Sequence, residues 1–304
     1  MIKQPLVTVI CTCYNHEKYV LDALNSVVNQ VYQNVQLIIV NDHSSDNSDD
    51  VISKWLVNNP HVKYIRNKTN LGITKSFNNA YKHAKGDYLI DLAADDILLP
   101  DCIRLQLNAF NNSKYANLAL VYGNAILVNE HGDFERYFFP RHENGSLLKK
   151  HITGDMYKYI ISDVHSLCSV TAMIKTEFFD YLGGYDTSLY YEDLDFWIRA
   201  SREFNFDFTN DVLVKKRVIK NSLGDSYKKN STYYTKINNS TYHILKKAFS
   251  LNKNKEEHKG LLKRVYTMMR QSASNLSFIL FLKFILLYTK VYFCSIKVLN
   301  NKTA

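Results

Sequence analysis

Gly86-Asp87-Tyr88-Leu89-Ile90-Asp91-Leu92-Ala93-Ala94-Asp95-Asp96-Ile97-Leu98-Leu99-Pro100 is the stretch that decides the fold. Tyr88 to Leu92 is a mostly apolar run of strand length that stops at two adjacent carboxylates. Pro100 then opens a new element, and proline fits the first turn of a helix. Ligands of open α/β sheets gather at the carboxyl ends of strands. Two acidic side chains there make a hard-oxygen site, suited to Mg²⁺ or Mn²⁺ carrying substrate phosphates. The competing reading is a helix cap, a common role for Asp.

Towards the N-terminus, Val7 to Cys13 reads as a buried strand broken by Tyr14-Asn15, with Asn15 as the expected cap of a helix from His16 to Gln30. Val35 to Val40 is a second buried strand. It ends at Asn41-Asp42 and the polar turn His43 to Asp46. Val51, Ile52, Trp55 and Leu56 mark a helix, Val62 to Ile65 a short strand, and Ile73 to Ala84 a helix after Asn70-Leu71-Gly72. Strands alternating with helices predict a mostly parallel central sheet flanked by helices, an α/β fold. Thr12, Tyr14 and Asp42 are then expected on the same rim as Asp95 and Asp96. There an Asp can accept from a base N–H and a tyrosine can stack on a ring.

Towards the C-terminus, Ala119 to Val128 reads as a strand and Asn129 to Asp133 as a hairpin turn. Residues 140–165 have the character of a long lid or substrate loop. Ser169 to Ile174 is expected as a strand, with a short helix from Phe178. Leu194, Trp197, Ile198 and Ala200 can face a core, which puts Glu192 and Asp193 in the first turn of a helix. The helix dipole favours anions there, a structural role that competes with a catalytic one.

The totals narrow the class. The 304 residues allow one large domain or two small ones. The five cysteines are scattered, with no disulfide or zinc spacing, which predicts a reducing compartment. Met1 to Pro5 runs into a strand, so no leader peptide is expected. The net charge of +9 is uneven: residues 1–210 carry 19 Lys+Arg against 25 Asp+Glu, and residues 211–304 carry 19 against 4. A basic tail on a neutral-to-acidic body suggests an anionic surface, either lipid headgroups or nucleic acid. Within the tail, Ser277 to Leu299 is densely apolar, but Lys283 and Lys290 interrupt any run long enough to span a bilayer. Lys283, Lys290 and Lys297 are seven apart and form one stripe on a helix. Such a helix can lie in the headgroup plane, or pack on protein with its lysines outward.

The motifs together resemble the family-2 glycosyltransferases with the GT-A fold. They are Cys11-Thr12-Cys13-Tyr14-Asn15, Val40-Asn41-Asp42-His43-Ser44-Ser45-Asp46, Asn70-Leu71-Gly72 with Asn78, Gly86 to Asp96 with Pro100, and Glu192-Asp193 with Trp197 and Arg199. The resemblance covers roughly residues 5 to 222. It implies a GT-A domain over 1–222 and a helical, basic and apolar region over 223–304. It also implies an inverting, metal-dependent transfer of a sugar from a nucleotide-diphosphate donor, UDP-linked by expectation, to a hydroxyl of a glycan or lipid-linked acceptor. Thr12, Tyr14 and Asp42 would hold the base, with Lys75 near the pyrophosphate. Asp95 and Asp96 would share the ribose and a Mn²⁺- or Mg²⁺-bridged diphosphate. Asp193 would be the catalytic base and Glu192 its acidic neighbour. Apart from the resemblance, the Asn-, Lys- and Ile-rich composition fits a bacterial surface-polysaccharide enzyme, and the basic, apolar tail predicts peripheral contact with the cytoplasmic, inner face of the cell membrane, with no nucleic-acid partner. Two positions depart from the family pattern: Ala93 stands where many relatives have Asp, and Ile219 stands where many have His, in Arg217-Val218-Ile219-Lys220-Asn221-Ser222.

Other classes fit less well. A dinucleotide oxidoreductase needs Gly-x-Gly-x-x-Gly after the first strand, and the first glycine here is Gly72. A P-loop Gly-Lys-Ser/Thr is absent. A sugar nucleotidyltransferase of related architecture wants a glycine-rich first loop. A non-enzymatic nucleic-acid-binding protein would use the basic tail, but the acidic rim would repel phosphate without a metal.

Overall fold

The computed structural model describes residues 4–162, 167–219 and 233–300, the side chains of 297–300 excepted. The chain packs as two compact units. The first comprises residues 1–154, 168–187 and 204–218, and the second 155–167, 188–203 and 219–304. Residues 155–167 and 188–203 therefore pack with the C-terminal region, across the 222/223 boundary drawn from the sequence.

The first unit carries the sheet. Its strands are β1 Val7–Cys13, β2 Val35–Asn41, β3 Lys63–Arg66, β4 Tyr88–Ala93, β5 Ile97–Leu98, β6 Leu118–Val128, β7 Phe134–Tyr137, β8 Met173–Lys175 and β9 Asn205–Arg217. They run in the order β3-β2-β1-β4-β8-β6-β9-β5, with β7 on β6. Strands β3, β2, β1 and β4 are parallel. The apolar residues of β1 and of the second half of β2, and Leu89, Ile90 and Leu92 of β4, are buried, the pattern of a sheet covered on both faces. Strand β8 is antiparallel to both β4 and β6, while the long β6–β9 pairing is parallel, so the sheet is mixed with its longer ladders parallel. A short buried apolar run pairs equally well in either direction, so the sequence carried no signal for this.

Helices α1 Val20–Val28, α2 Ser48–Val57, α3 Ile73–Tyr81 and α4 Cys102–Asn112 follow the strands as expected. Asn15 is not a helix cap. It holds a left-handed φ of 57°, and α1 starts five residues later. Ser169–Thr171 forms a 3-10 turn ahead of β8 rather than part of a strand. Gly86 lies so close to β1 that an added Cβ would sit 2.5 Å from Thr8 N. Gly86→Ala is expected to cost about 1–3 kcal/mol of stability by overpacking. Urea unfolding would check this; no change in midpoint would mean that the backbone relaxes freely there.

Part of the 140–165 stretch is anchored rather than loose. His151 stacks on Phe208 with ring centroids 4.0 Å apart and lies within 3.0 Å of the Tyr122 hydroxyl through Nδ1. Burial pushes its imidazole down to about 4. An unfolded histidine titrates near 6.5. Between those values the unfolded chain binds the proton and the folded one does not, so stability is full above pH 6.5 and falls as pH drops through the window. With partial exposure discounted, the loss is about 1–2 kcal/mol. His151→Phe should remove that slope in urea unfolding at pH 7 and pH 4.5. An unchanged slope would assign it to other groups.

The second unit contains α5 Tyr157–Ser162, α7 Asp193–Glu203, α8 Tyr234–Leu251, α9 Lys255–Ser274 and α10 Phe278–Asn300; α6, Thr176–Tyr181, belongs to the first unit. Its interior holds ion pairs. Asp195, 1% exposed, accepts from Arg199 Nε at 2.7 Å and Lys247 Nζ at 2.8 Å. Arg202 pairs with Glu257 at 3.0 Å and lies 4.0 Å from the Tyr157 ring centroid. Asn254 caps α9, accepting from Glu257 N at 3.0 Å, and Glu257 reaches back to accept from Asn254 Nδ2 at 2.8 Å and from Lys253 N, the residue before the cap, at 2.6 Å. Helix α10 buries Leu280, Phe284, Leu287 and Val291 at helical spacing. Its lysines share one side of the helix but not one environment. Lys283 donates to Asn239 Oδ1 at 2.8 Å and lies over the Tyr242 ring, Lys290 is exposed, and the side chain of Lys297 is outside the described residues.

Candidate active site

Strand register builds the rim. Cys13 sits opposite Asn41, and Thr12 opposite both Val40 and Ala93, so β1, β2 and β4 end together. Thr12 is half-buried, and its carbonyl accepts from Ala94 N at 3.0 Å. Tyr14, just past the strand, is exposed and presents an open ring.

The loops after β1 and β2 are tied to each other. Ser44 Oγ accepts from Asn15 N at 3.0 Å, and Asn15 Oδ1 accepts from Ser45 N at 2.7 Å. Ser48 Oγ accepts from His16 N at 3.0 Å, and Asp46 Oδ2 from Glu17 N at 2.9 Å. These bonds satisfy the turn backbones and hold the rim in shape before any ligand arrives. They also explain the left-handed Asn15: its side chain is the tie.

Asp42 performs a similar task for the next loop. Its Oδ1 accepts from Leu71 N and Asn67 Nδ2, both at 2.8 Å, and its Oδ2 from Gly72 N at 2.9 Å. A carboxylate has about four acceptor sites, and three of those of Asp42, itself 5% exposed, serve this loop. Gly72, at φ 82°, takes the left-handed turn that leads into α3, and Lys75 is exposed in the first turn of that helix.

The two aspartates after β4 are not equivalent. Asp95 is half-buried, while Asp96 is 1% exposed and accepts from Arg217 N at 2.9 Å. Burial pushes the Asp96 carboxyl up to about 7, against the opposing charge of Lys216. The cause is β5, the two-residue strand Ile97–Leu98, which pairs antiparallel with Val214 and Lys215 of β9 and draws Asp96 inward. Arg217 closes the corner. Its Nε donates to Asp95 O, Nη1 to Glu130 O and Nη2 to Asp22, each at 3.2 Å, and its guanidinium carbon lies 4.6 Å from the Tyr19 ring centroid. Lys18, Tyr19, Asp22, Glu130, His131 and Arg217 line an open cavity of about 290 Å³. The sequence placed Arg217 only inside a motif. Its hold on the aspartates follows from β9, which has too many polar residues to stand out as a strand.

Among the described residues no three His, Cys, Asp or Glu side chains form a metal cluster. One accessible carboxylate with a second behind it suits a hard cation that takes its remaining ligands from a diphosphate and water. Ile219 offers no donor atom, and Lys220, Asn221 and Ser222 lie outside the described residues.

Glu192 and Asp193 belong to the second unit, both half-buried, with Asp193 the first residue of α7. Asp193 Oδ1 accepts from Leu194 N at 2.6 Å. The segment before them is pinned to α8: Tyr190 N donates to Ser240 Oγ at 2.8 Å, and the Tyr191 hydroxyl bonds Thr241 Oγ1 at 2.9 Å. The structure thus gathers Thr12, Tyr14, Asp42, Asp95 and Asp96 along the strand-end rim of one unit, with Lys75 on the helix that Asp42 braces. Glu192 and Asp193 stand at a helix start in the other.

Comparison with known proteins gives this geometry a context. The model of glycosyl transferase family 2 matches residues 8–182. An uncharacterized glycosyltransferase of Methanocaldococcus jannaschii is 28% identical over 71% of this chain and 71% of its own length. The chondroitin synthase of Pasteurella multocida is 39% identical over 42% of this chain, which is 13% of that synthase. The chain likewise spans only 34% of a Rickettsia felis glycosyltransferase. Among solved structures, Staphylococcus aureus TarS 1-349 in complex with UDP-GlcNAc superposes with a TM-score of 0.62 at 18% identity, over 85% of this chain and 71% of that one. A Pyrobaculum calidifontis mannosyltransferase in complex with GDP-Man and Mn²⁺ gives 0.56 at 14% identity, over 97% and 84%. Those two likenesses are of fold.

Proposed function

Since this chain belongs to glycosyl transferase family 2 and is a nucleotide-sugar glycosyltransferase, we propose that it is an inverting enzyme that takes a sugar from a UDP-linked donor to a hydroxyl of a glycan or lipid-linked acceptor. The observation that carries the reading is the split pair at the end of β4: Asp95 open, and Asp96 buried against the Arg217 backbone. The UDP assignment draws on the ligand named for the TarS structure.

In this reading Tyr14 stacks on the base, and Thr12 and Asp42 meet its edge. Lys75 lies towards the pyrophosphate, and Asp95 towards the ribose and diphosphate. Asp95, with Asp96 behind it, would hold Mn²⁺ or Mg²⁺, which stabilises the charge gathering on a diphosphate leaving group. The Asp193 carboxylate takes the proton of the acceptor hydroxyl as its oxygen bonds the anomeric carbon. The bond to the diphosphate breaks on the opposite face, so the anomeric configuration inverts. Glu192 is the acidic neighbour that shapes the acceptor side. The catalytic domain is taken as residues 1–222, and 223–304 as the part that meets the inner face of the cell membrane, in a bacterial surface-polysaccharide setting.

A screen of UDP-, GDP-, TDP- and CMP-sugars with Mn²⁺ and Mg²⁺, reading released nucleotide, tests this. Metal-stimulated turnover of a UDP-sugar is expected. Turnover confined to another nucleotide would overturn the UDP assignment, and an α-linked product from an α-linked donor would overturn inversion.

A further inference from the structure

Helix α10 has two apolar faces, and among the described residues only one of them is covered. Leu280, Phe284, Leu287 and Val291 are buried, while Ile279, Leu282, Leu286 and Phe293 are 58–74% exposed. At 100° per residue, the exposed four span an arc of about 60°. A helix that merely packs on its own protein carries polar residues on that side, and a continuous exposed apolar stripe marks an interaction surface.

The borders of the stripe indicate its occupant. Along one edge runs Lys290, followed by Lys283. Along the other, Tyr288 stacks with Tyr292 at 6.5 Å, and Tyr266 of α9 lies 6.4 Å from Tyr288 with Arg270 over its ring. Tyrosines and basic side chains flanking an apolar stripe match the layering of a membrane interface. The window Phe278–Ile296 has a mean hydropathy of 1.8, high enough for a membrane span. Yet its other face is already buried in protein, and Lys283 is bonded to α8 through Asn239. Spanning would drag that polar contact into hydrocarbon. A second copy of this chain fits less well than lipid, because a two-fold contact would bring together the same basic borders, from a region carrying 19 Lys+Arg against 4 Asp+Glu.

We propose that α10 lies in the plane of an anionic bilayer, with Ile279, Leu282, Leu286 and Phe293 among the acyl chains and Lys290, Arg270 and the tyrosines at the headgroups. This rests on the membrane contact proposed above and fixes its face and its mode.

Full-length protein would be floated with vesicles of phosphatidylcholine alone and with phosphatidylglycerol added, alongside Leu282→Ser/Leu286→Ser and Lys290→Glu. Wild type should bind the anionic vesicles and be released by high salt or alkaline wash. The double-serine variant should lose about tenfold or more in binding with unchanged circular dichroism and melting midpoint, since both side chains are exposed, and Lys290→Glu should lose less. If wild type binds neither vesicle at low salt, the membrane reading itself fails. If wild type binds and the double-serine variant binds equally well, the membrane reading stands and the assignment to this face is overturned. Wild-type protein that resists alkaline extraction would overturn the in-plane mode. A wild-type dimer in sedimentation velocity that the double-serine variant abolishes, without lipid binding, would give the face to a second copy.

Discussion

Asp193→Asn is expected to lower sugar transfer by about 10²–10⁴-fold, the range for loss of a general base, with the affinity for UDP nearly unchanged. The substitution is selective because Asp193 is half-buried at the start of α7, where its Oδ1 accepts from Leu194 N. The amide oxygen of Asn can accept the same bond. What disappears is the charge and the ability to take a proton. The lost charge at the helix N-terminus costs about 0.3–1 kcal/mol, and thermal melting of the variant would check that the fold is kept. Transfer would be measured under single-turnover conditions with enzyme in excess, and UDP binding by calorimetry on the same preparation. A rate within about tenfold of wild type would remove Asp193 from the role of base. Glu192→Gln is the natural second variant, because the two carboxylates are neighbours in sequence. If Glu192→Gln alone carried the large loss, the base would be Glu192.

The parts of the fold that were legible in the sequence share one property: their signal is local. β1, β2 and β4 are apolar runs because the residues they turn to either face of the sheet are largely buried, and Asp95-Asp96 stands out because it ends such a run. Glu192 and Asp193 stand at a helix start, where helical spacing of Leu194, Trp197 and Ile198 put them. What was not legible depends on partners distant in sequence. Ile97–Leu98 becomes a strand only because β9 lies beside it, more than 100 residues later. Asn15 looks like a cap until Ser45 supplies a donor to its side chain. Asp42 looks like a ligand residue, yet most of its acceptor sites serve the loop that leads into α3. The rim was readable as a place, and the division of labour among its side chains was not.

That division gives the second large effect. Asp95→Asn is expected to weaken UDP binding by roughly 100-fold in the presence of Mn²⁺, of the order of removing one positioned electrostatic contact from an active site, and to change it little in EDTA. Asp95 is the accessible carboxylate of the pair, and only its backbone carbonyl is used by Arg217. Its side chain is therefore available to a cation, and Asn is a poorer ligand for one. Asp96→Asn should behave differently. Asp96 is buried and accepts from Arg217 N, a bond that the Asn oxygen can keep, so its effect on UDP binding should be small in either condition. Asp96→Ala leaves the Arg217 N–H without that acceptor and loosens the corner around Asp95, a loss of about 1–3 kcal/mol in stability with weaker UDP binding in Mn²⁺ and EDTA alike. Calorimetry of the three variants with Mn²⁺ and with EDTA, beside urea unfolding, separates the cases. If Asp95→Asn lost the same affinity in both conditions, Asp95 would contact the nucleotide directly. If Asp96→Asn instead carried the metal-dependent loss, the buried carboxylate would be the ligand, and the β5–β9 pairing that draws it inward would have to open when donor binds.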